Sequence, residues 1–248
     1  MNKDALAKLH RTAEPLVIFN IWDAGSAKAV AEAGAKVIAT GSLALAGAQG
    51  FEDGEQIPFD HLLYLVHQIA AQISVPLSVD LETGYAETLD GLTQNAESLV
   101  RAGVSGCNLE DRLQTTDGLR EADEQADRIR TAGAPGLFVN ARTDLFLGPL
   151  MAGEDPNRSD LVDQAVERAT IYGDAGAGCF FAPGLSNPDL IKELCARAGM
   201  PVNIMRLEGM PSNADLGALG VARISHGPGP WRRAMEVTEA AARAAFVI

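Results

Sequence analysis

Residues 92–111 read LTQNAESLVRAGVSGCNLED, and this stretch holds the pattern that decides the fold. Apolar residues recur at helical spacing from Leu92 to Ala102, and Gly103 stands where a left-handed residue would end a helix. Gly106 to Leu109 is then a short run with the length of a buried strand. Related helix endings occur in three other segments: 32–35 (EAGA), 174–177 (DAGA) and 218–221 (ALGV). The chain therefore repeats a helix followed by a strand.

Short apolar runs bounded by turn residues predict strands along the whole chain. The predicted strands are Leu16 to Asn20, Lys36 to Thr40, Leu77 to Asp80, Gly106 to Leu109, Leu137 to Ala141, Gly178 to Phe181, Val202 to Met205 and Val221 to Ser225. Amphipathic segments predict helices between them, namely Ala24 to Ala33, Asp60 to Ile73, Leu92 to Ala102, Asp160 to Ala175, Pro188 to Ala198 and Ala214 to Leu219, with a last helix from Trp231 onward. This alternation in 248 residues predicts an α/β fold, a (β/α)8 TIM barrel formed by one domain over residues 1–248. A doubly wound open sheet is the alternative.

The composition excludes several classes of protein. Hydrophobic residues make up 47% and charged residues 21% of the chain, as in ordinary globular proteins. The 20 basic and 33 acidic residues give a net charge of −13, so we expect no nucleic-acid partner. No apolar run approaches the ~18 residues of a membrane span, and charges interrupt the N-terminal segment where a signal peptide would be apolar. Because the three cysteines also lack close pairing, we predict a cytoplasmic protein with no membrane partner.

Acidic residues follow two neighbouring predicted strands. Asp80 and Glu82 end the third strand, and Glu110 ends the fourth. Residues two apart point to the same side while the chain stays extended, and the active site of a barrel lies at the carboxyl ends of its strands. Oxygen ligands suit Mg²⁺, or Mn²⁺ in its place, so we predict a metal site formed by Asp80, Glu82 and Glu110. The alternative is that these acids cap helices or face solvent.

A basic residue and a run of small residues are predicted near the same rim. Arg142 ends the fifth strand and is suited to bind a carboxylate or a phosphate, although a salt bridge to Asp144 is an equal alternative. Gly41, Ser42 and Leu43 follow the second strand, where small residues either let backbone N–H groups approach a ligand or simply form a turn. Both segments are therefore candidates for substrate binding.

Three predicted loops are longer than a barrel needs, and long loops often carry function. They span Gly41 to Pro58, Asp111 to Glu124 and Leu145 to Ser159. The first contains Asp53 in an acidic segment that is equally typical of a solvated surface turn. His226 follows the eighth strand, and a structural role is favoured for it over a catalytic one.

A set of segments, taken in order, resembles the isocitrate lyase / phosphoenolpyruvate mutase superfamily. The matching segments are 19–42 (FNIWDAGSAKAVAEAGAKVIATGS), 51–58 (FEDGEQIP), 78–85 (SVDLETGY), 102–112 (AGVSGCNLEDR), 138–144 (FVNARTD), 201–205 (PVNIM) and 220–230 (GVARISHGPGP). No single segment is decisive, but their order and spacing from about Pro15 to Met235 are specific. The chain is most similar to the small bacterial members of the superfamily.

The resemblance implies a barrel of the phosphoenolpyruvate/pyruvate-binding type that binds Mg²⁺ and a 2-oxo acid or its enolate. Carried over by position, the metal-binding residues are Asp80, Glu82 and Glu110. The residues that contact the substrate are Gly41, Ser42, Leu43, Arg142 and Asn203, and Asp53 matches an acidic residue of the second-strand loop. The resemblance also implies a homo-oligomer, a dimer or a tetramer, in which the C-terminal helix can be swapped onto a neighbouring subunit.

This chain departs from the superfamily pattern at several positions. It has Asp80-Leu81-Glu82 where the family commonly has Asp-x-Asp, and Pro183 where some of the lyases have Glu. After the fourth strand, isocitrate and methylisocitrate lyases resemble one another in a Lys-Lys-Cys-Gly-His sequence, and the phosphonate enzymes in a Lys and an Asn. Residues 111–120 contain no Lys, Cys, His or Asn. Isocitrate cleavage is therefore not expected.

The residues and the resemblance together predict an Mg²⁺-dependent carbon–carbon lyase. It would cleave a bond next to the carbonyl of a small 2-oxo or 2-hydroxy dicarboxylate through an enolate, as an oxaloacetate decarboxylase or a methylisocitrate lyase does. Catalytic candidates are Arg142, Asp53 and Tyr85, and the 111–124 loop is a further source of an acid or base. The alternative reaction makes or breaks a P–C bond, as in a mutase or hydrolase. The non-enzymatic alternative is a barrel that binds a metabolite without catalysis.

Overall fold

Eight parallel strands form one sheet in the computed structural model, which describes residues 3–12, 14–114 and 118–247. The strands are β1 Leu16–Ile18, β2 Ile38–Ala39, β3 Leu77–Asp80, β4 Gly106–Glu110, β5 Phe138–Arg142, β6 Cys179–Ala182, β7 Val202–Met205 and β8 Arg223–Ser225. Hydrogen bonds join them in the order β1-β8-β7-β6-β5-β4-β3-β2. A parallel bridge between Ile21 and Thr40 connects the two ends of that order. The sheet is therefore a nearly closed barrel, as predicted, and not an open sheet.

Helices alternate with the strands around the barrel. They are α1 Lys3–Ala7, α2 Ala24–Glu32, α3 Ser42–Ala48, α4 Phe59–Ala70, α5 Leu89–Arg101, α6 Ala122–Gly133, α7 Leu147–Met151, α8 Ser159–Asp174, α9 Pro188–Arg197, α10 Asn213–Ala218 and α11 Gly229–Ala245. Every predicted helix is present, with ends that differ by a few residues. Side chains cap several starts; the Asp23 carboxylate, for example, accepts a hydrogen bond from the Ser26 N–H at the start of α2.

Four helices lie in segments for which no helix was predicted. Three of them, α1, α3 and α7, have only 5–7 residues, which leaves little helical period to show in the sequence, although the six-residue α10 was predicted. The fourth, α6, buries the polar residues Gln125 and Arg128 on the face that packs against the barrel. Polar residues on a buried face hide the amphipathic pattern, which explains why α6 was missed. Helix α3 corrects the prediction of an irregular loop immediately after β2.

The inside of the barrel is apolar at the amino ends of the strands and polar toward their carboxyl ends. Alternate strand residues, together with Leu6 of α1, form the inner apolar cluster of Leu6, Leu16, Ile18, Val37, Ala39, Phe138 and Cys179. The next inward residues along the strands are buried and polar, namely Asn108, Asn140, Asn203, Arg223 and Ser225. The intervening residues point outward into the larger core between sheet and helices. The polar interior therefore leads up to the carboxyl ends of the strands.

The register of the central strands determines which side chains meet at that rim. Asp80, the last residue of β3, is paired with Asn108 of β4. Glu110, the last residue of β4, is paired with Arg142, the last residue of β5. Because a parallel barrel brings the carboxyl ends of its strands to one rim, these four residues lie side by side.

The C-terminal helix is only loosely packed on its own barrel. Pro230 is the one buried residue of α11. In a regular barrel the last helix covers the eighth and first strands, whereas here Val17 of β1 and the following Phe19 are 37% and 45% exposed. A groove of about 620 Å³ runs along this face, lined mainly by apolar side chains of α2, β1 and the segment before β1. Among the described residues, no helix is both long and apolar enough to cross a membrane.

Candidate active site

Asp80 lies at the centre of the polar rim. Its Oδ2 accepts a hydrogen bond from the backbone N–H of Ser42 at the start of α3 (3.1 Å), and its Oδ1 accepts one from Asn108 Nδ2 (3.1 Å). The Asp80 N–H donates to Thr40 Oγ1 (2.8 Å). The predicted small-residue segment Gly41, Ser42 and Leu43 thus begins a helix, and one of its N–H groups is directed at Asp80.

Asn108 is a site residue that the sequence reading missed. Its Oδ1 accepts hydrogen bonds from Asn140 Nδ2 (2.7 Å) and Arg223 Nη2 (3.5 Å), which fixes the amide so that its Nδ2 donates to Asp80. The signal was present in the sequence, because Gly106, Asn108 and Glu110 alternate along one face of β4. A polar residue at an inward position of a buried strand needs a polar partner.

Arg142 forms a buried ion-pair group with two carboxylates. Its Nη1 is 2.7 Å from Glu110 Oε2, and its Nε is 2.7 Å from Asp144 Oδ1. The side chains of Glu110, Arg142 and Asp144 are only 5%, 13% and 7% exposed. Burial favours the neutral guanidine, but the charges of Asp144 and Glu110 hold the pKa of Arg142 well above its usual value. The alternative of a salt bridge to Asp144 is therefore realised, and substrate binding by Arg142 stays a prediction.

A second buried group supports Asp144 from behind. Asp111 Oδ1 accepts a hydrogen bond from the Asp144 N–H (3.0 Å), and Asp111 Oδ2 accepts from Tyr172 OH (2.8 Å) and Arg168 Nη1 (3.1 Å). Asp111 is fully buried. Burial raises the pKa of its carboxyl, and the charge of Arg168 opposes that rise. Nothing in the sequence indicates this network, because the partners of Asp111 are 33 to 61 residues away from it.

Glu82 is placed differently from the prediction. The strand ends at Asp80, and Glu82 has a left-handed backbone (φ 51°), so the argument from extended-chain alternation is wrong at this position. Its carboxylate accepts hydrogen bonds from the Glu55 N–H (2.8 Å) and from Tyr85 OH (2.9 Å). Burial raises the pKa of Glu82 to about 8, and the nearby charges of Asp80 and Asp53 add to the rise.

Tyr85 and Asp53 lie close to the carboxylates of Glu82 and Asp80. Burial and the charge of Glu82 raise the pKa of the Tyr85 phenol, so this group stays protonated as a hydrogen-bond donor. Asp53 is exposed on one side, and its carboxyl hydrogen-bonds to Ser42. Partial desolvation and the charge of Asp80 raise the pKa of Asp53, and the hydrogen bond with Ser42 opposes that rise. Both residues therefore lie near Asp80, and their role as acid or base stays a prediction.

The remaining predicted site residues are Asn203 and those of the loop after β4. Asn203 is fully buried, and its amide exchanges hydrogen bonds with the Ser225 hydroxyl (3.1 and 3.2 Å), so its polar atoms are already paired inside the barrel. In the 111–124 loop, Arg112 and Leu119 line a cavity of about 630 Å³ together with Asp144. Thr115, Thr116 and Asp117 of that loop lie outside the described residues.

The donor set fits a hard divalent cation that keeps most of its water ligands. In the described ranges, no three His, Cys, Asp or Glu side chains are close enough together to bind one ion. Mg²⁺ needs only one or two direct carboxylates, with further acids acting through water. The pKa values of Asp53, Glu82 and Glu110 are all raised, with neighbouring carboxylates contributing to each rise. A cation beside Asp80 would relieve that repulsion.

Sequence comparison decides the family. Residues 6–246 match the family model described as phosphoenolpyruvate phosphomutase. The chain belongs to this family. The match spans nearly the whole barrel, including every rim residue described above, so the superfamily indicated by the motifs is confirmed. The family comprises enzymes, both lyases and mutases.

Three similar proteins carry different descriptions. A crystal structure from Burkholderia cenocepacia J2315, provisionally described as a phosphonomutase, is 42% identical with a TM-score of 0.92, covering 98% of this chain and 99% of that one. The 2-methylisocitrate lyase of Escherichia coli (strain K12) is 26% identical over 76% of this chain and 64% of its own length. The oxaloacetate decarboxylase of Rhodopseudomonas palustris (strain HaA2) is 28% identical over 65% of this chain and 55% of its own length. The chain thus spans less than two thirds of these two lyases.

Proposed function

We propose that this phosphomutase-family barrel is an Mg²⁺-dependent carbon–carbon lyase for a small 2-oxo or 2-hydroxy dicarboxylate. The observation that carries the proposal is the arrangement around Asp80. Its carboxylate is held by Ser42 and Asn108 at a rim that also contains Glu82 and Glu110. Lyases that act on such acids are among the relatives.

The proposal gives separate roles to the rim residues. Asp80 would bind the ion directly, and Glu82 and Glu110 would support it through water. A bound Mg²⁺ polarises carbonyl and carboxylate oxygens and so stabilises an enolate. The guanidinium of Arg142 keeps positive charge near the site, since its pKa is raised.

The segment 111–120 contains neither Cys nor Lys, and this absence favours decarboxylation over the other lyase reactions. Loss of CO₂ leaves the enolate directly, so cleavage needs no general base and only the final protonation needs an acid. Tyr85, held protonated beside Glu82, and Asp53, with its raised pKa, are two candidates for that acid among the described residues. Retro-aldol cleavage would instead require one of them as a base.

Chemistry at a P–C bond is the second candidate. The observation that favours it is the 42% identity and TM-score of 0.92 to the structure provisionally described as a phosphonomutase. The segment 111–120 argues against it, because it contains neither Lys nor Asn. Incubation with oxaloacetate and with phosphonopyruvate, followed by ³¹P NMR and pyruvate assay, separates the two reactions.

Thermal unfolding with oxalate, a mimic of the pyruvate enolate, tests the proposed function. Oxalate and Mg²⁺ together should raise Tm, because a ligand at 100 times its Kd stabilises the folded state by about 2.7 kcal/mol. For a chain of this length that is a shift of roughly 5–10 °C. Either ligand alone, or both with EDTA, should produce little change. No shift at millimolar oxalate and Mg²⁺ would reject the enolate site, and binding without turnover of any substrate would favour a metabolite-binding barrel.

We also propose that a second copy of this chain covers the groove along β1. Val17 and Phe19 are exposed there, and Met235 and Val237 of α11 and Phe246 just after it are 42%, 65% and 80% exposed. An apolar groove and an apolar helix on one molecule suit exchange of α11 between subunits. Light scattering after size exclusion should give a dimer or a tetramer. Truncation before Met235 should yield smaller species, and a monomeric full-length chain would contradict this proposal.

A further inference from the structure

Three non-glycine residues have a left-handed backbone within the described part of the chain, and they lie in one cluster. They are Glu55 (φ 60°), Glu82 (φ 51°) and Tyr85 (φ 53°). This conformation costs an L-residue roughly 1–2 kcal/mol. Such residues persist only where the surrounding structure holds them, and they concentrate at functional sites.

Glu55 joins the three residues through its carboxylate and its backbone N–H. Its Oε1 accepts hydrogen bonds from Thr83 N–H (2.8 Å), Thr83 Oγ1 (2.7 Å) and Tyr85 N–H (3.0 Å). The Glu55 N–H donates to Glu82 Oε2 (2.8 Å). One residue of the second-strand loop therefore binds both the backbone and a side chain of the segment 82–85.

Apart from Gln114 Nε2, which donates to Thr83 Oγ1 (3.4 Å), the other side-chain contacts of this segment act on atoms that Glu55 does not bind. Arg128 of α6 donates to the carbonyl oxygens of Thr83 (2.6 Å) and Ala86 (2.8 Å). Asn95 of α5 donates to the carbonyl of Tyr85 (3.0 Å). These residues hold carbonyl groups, whereas Glu55 holds the amide groups of Thr83 and Tyr85. The contact from Glu55 is thus not duplicated by its neighbours.

We propose that Glu55 is a positioning residue that ties the second-strand loop (51–58) to the end of β3 and so fixes Glu82 and Tyr85 at the rim. Asp53 in the same loop contacts Ser42, which in turn donates to Asp80. The bonds of Glu55 therefore set the position of the loop relative to Asp80 and Glu82. The inference rests on the proposed function, because its consequence is measured through ligand binding at Asp80.

Two substitutions of Glu55 separate its charge from its shape. E55A removes the acceptor and leaves the amides of Thr83 and Tyr85 without this partner. E55Q keeps an oxygen that accepts hydrogen bonds but loses the negative charge. Hydrogen bonds to a charged carboxylate are roughly twice as strong as those to a neutral amide. Glu52 provides the matched control, because it is an exposed acid in the same loop. E52A removes the same charge without touching the segment 82–85.

Amide hydrogen exchange and affinity for oxalate with Mg²⁺ are the two readouts. In E55A, exchange at Thr83 and Tyr85 should be faster by about tenfold or more, and the Kd for oxalate with Mg²⁺ should rise by about the same factor. E55Q should fall between E55A and the unchanged protein. E52A should differ from the unchanged protein by less than about twofold in both.

The two readouts keep the outcomes distinct. Unchanged exchange in E55A, or faster exchange with unchanged affinity, would overturn the proposal, the second because Glu55 would then be only structural. If E55A fails to fold, the comparison of E55Q with E52Q decides. If the unchanged protein binds no oxalate with Mg²⁺, the proposed function fails, and exchange in the ligand-free variants alone decides whether Glu55 holds this segment.

Discussion

Replacement of Arg142 by Met is expected to lower the free energy of unfolding by about 3–5 kcal/mol. The substitution leaves Glu110 and Asp144 without their shared cation, and both side chains are less than a tenth exposed. Unpaired buried carboxylates either carry an uncompensated charge or must take up protons. Urea unfolding followed by circular dichroism measures the change, which for this chain length corresponds to a Tm lower by roughly 10 °C.

Arg158 supplies the matched control for this experiment. It contacts Asp160 through two bonds, Nε to Oδ1 (3.0 Å) and Nη2 to Oδ2 (2.6 Å), with the same two-residue spacing as Arg142 and Asp144. Both Arg158 and Asp160 are exposed, so R158M should change stability little. Equal losses in R142M and R158M would show that burial of the pair does not matter, and would contradict the interpretation of the rim.

Replacement of Asp80 by Asn is expected to weaken binding of oxalate with Mg²⁺ by more than about 100-fold. The change removes the carboxylate proposed to bind the ion. It also places an amide between two donors, the Ser42 N–H and Asn108 Nδ2. Asn108 cannot simply rotate its amide, because its oxygen accepts from Asn140 and Arg223. One donor of the Asn side chain must therefore face another donor. Isothermal titration calorimetry measures the affinity.

D90N is the control for the loss of one negative charge. Asp90 is exposed in the first turn of α5, so its replacement should leave the affinity within about twofold of the unchanged protein. Binding of oxalate with Mg²⁺ to D80N at normal affinity would remove Asp80 from the metal site. Retention of oxalate binding without any need for Mg²⁺ would instead favour a carboxylate-binding protein.

The acidic rim itself was readable from the sequence, but most partners of its residues were not. Asp80, Glu110 and Arg142 were identified because each ends a short apolar run, and strand ends meet at one rim in a barrel. The salt bridge from Arg142 to Asp144 was an open alternative in the sequence, whereas the contact of Arg142 with Glu110 depends on the register between β4 and β5. Register is set by long-range pairing, which a single sequence does not display.

Glu82 illustrates where local reasoning fails. A spacing of two from Asp80 predicts a shared side only while the chain stays extended. Glu82 has a left-handed backbone, and its carboxylate accepts a hydrogen bond from the N–H of Glu55, which is 27 residues away in the chain. No propensity of the sequence around Glu82 favours that conformation, because non-glycine residues avoid it.

The sequence by itself determined the strands, most of the helices, the barrel and the rim at which polar residues gather. These features follow from local periodicity, glycine after helices and the geometry of parallel strands, all of which act over short stretches. The tertiary structure alone decided that Ser42 begins a helix, that Asn108 holds Asp80, and that Glu55 binds the segment 82–85. Those contacts join residues that are 27 to 38 positions apart. They form because a buried polar group must find a hydrogen-bond partner, and only the folded barrel determines which partner is within reach.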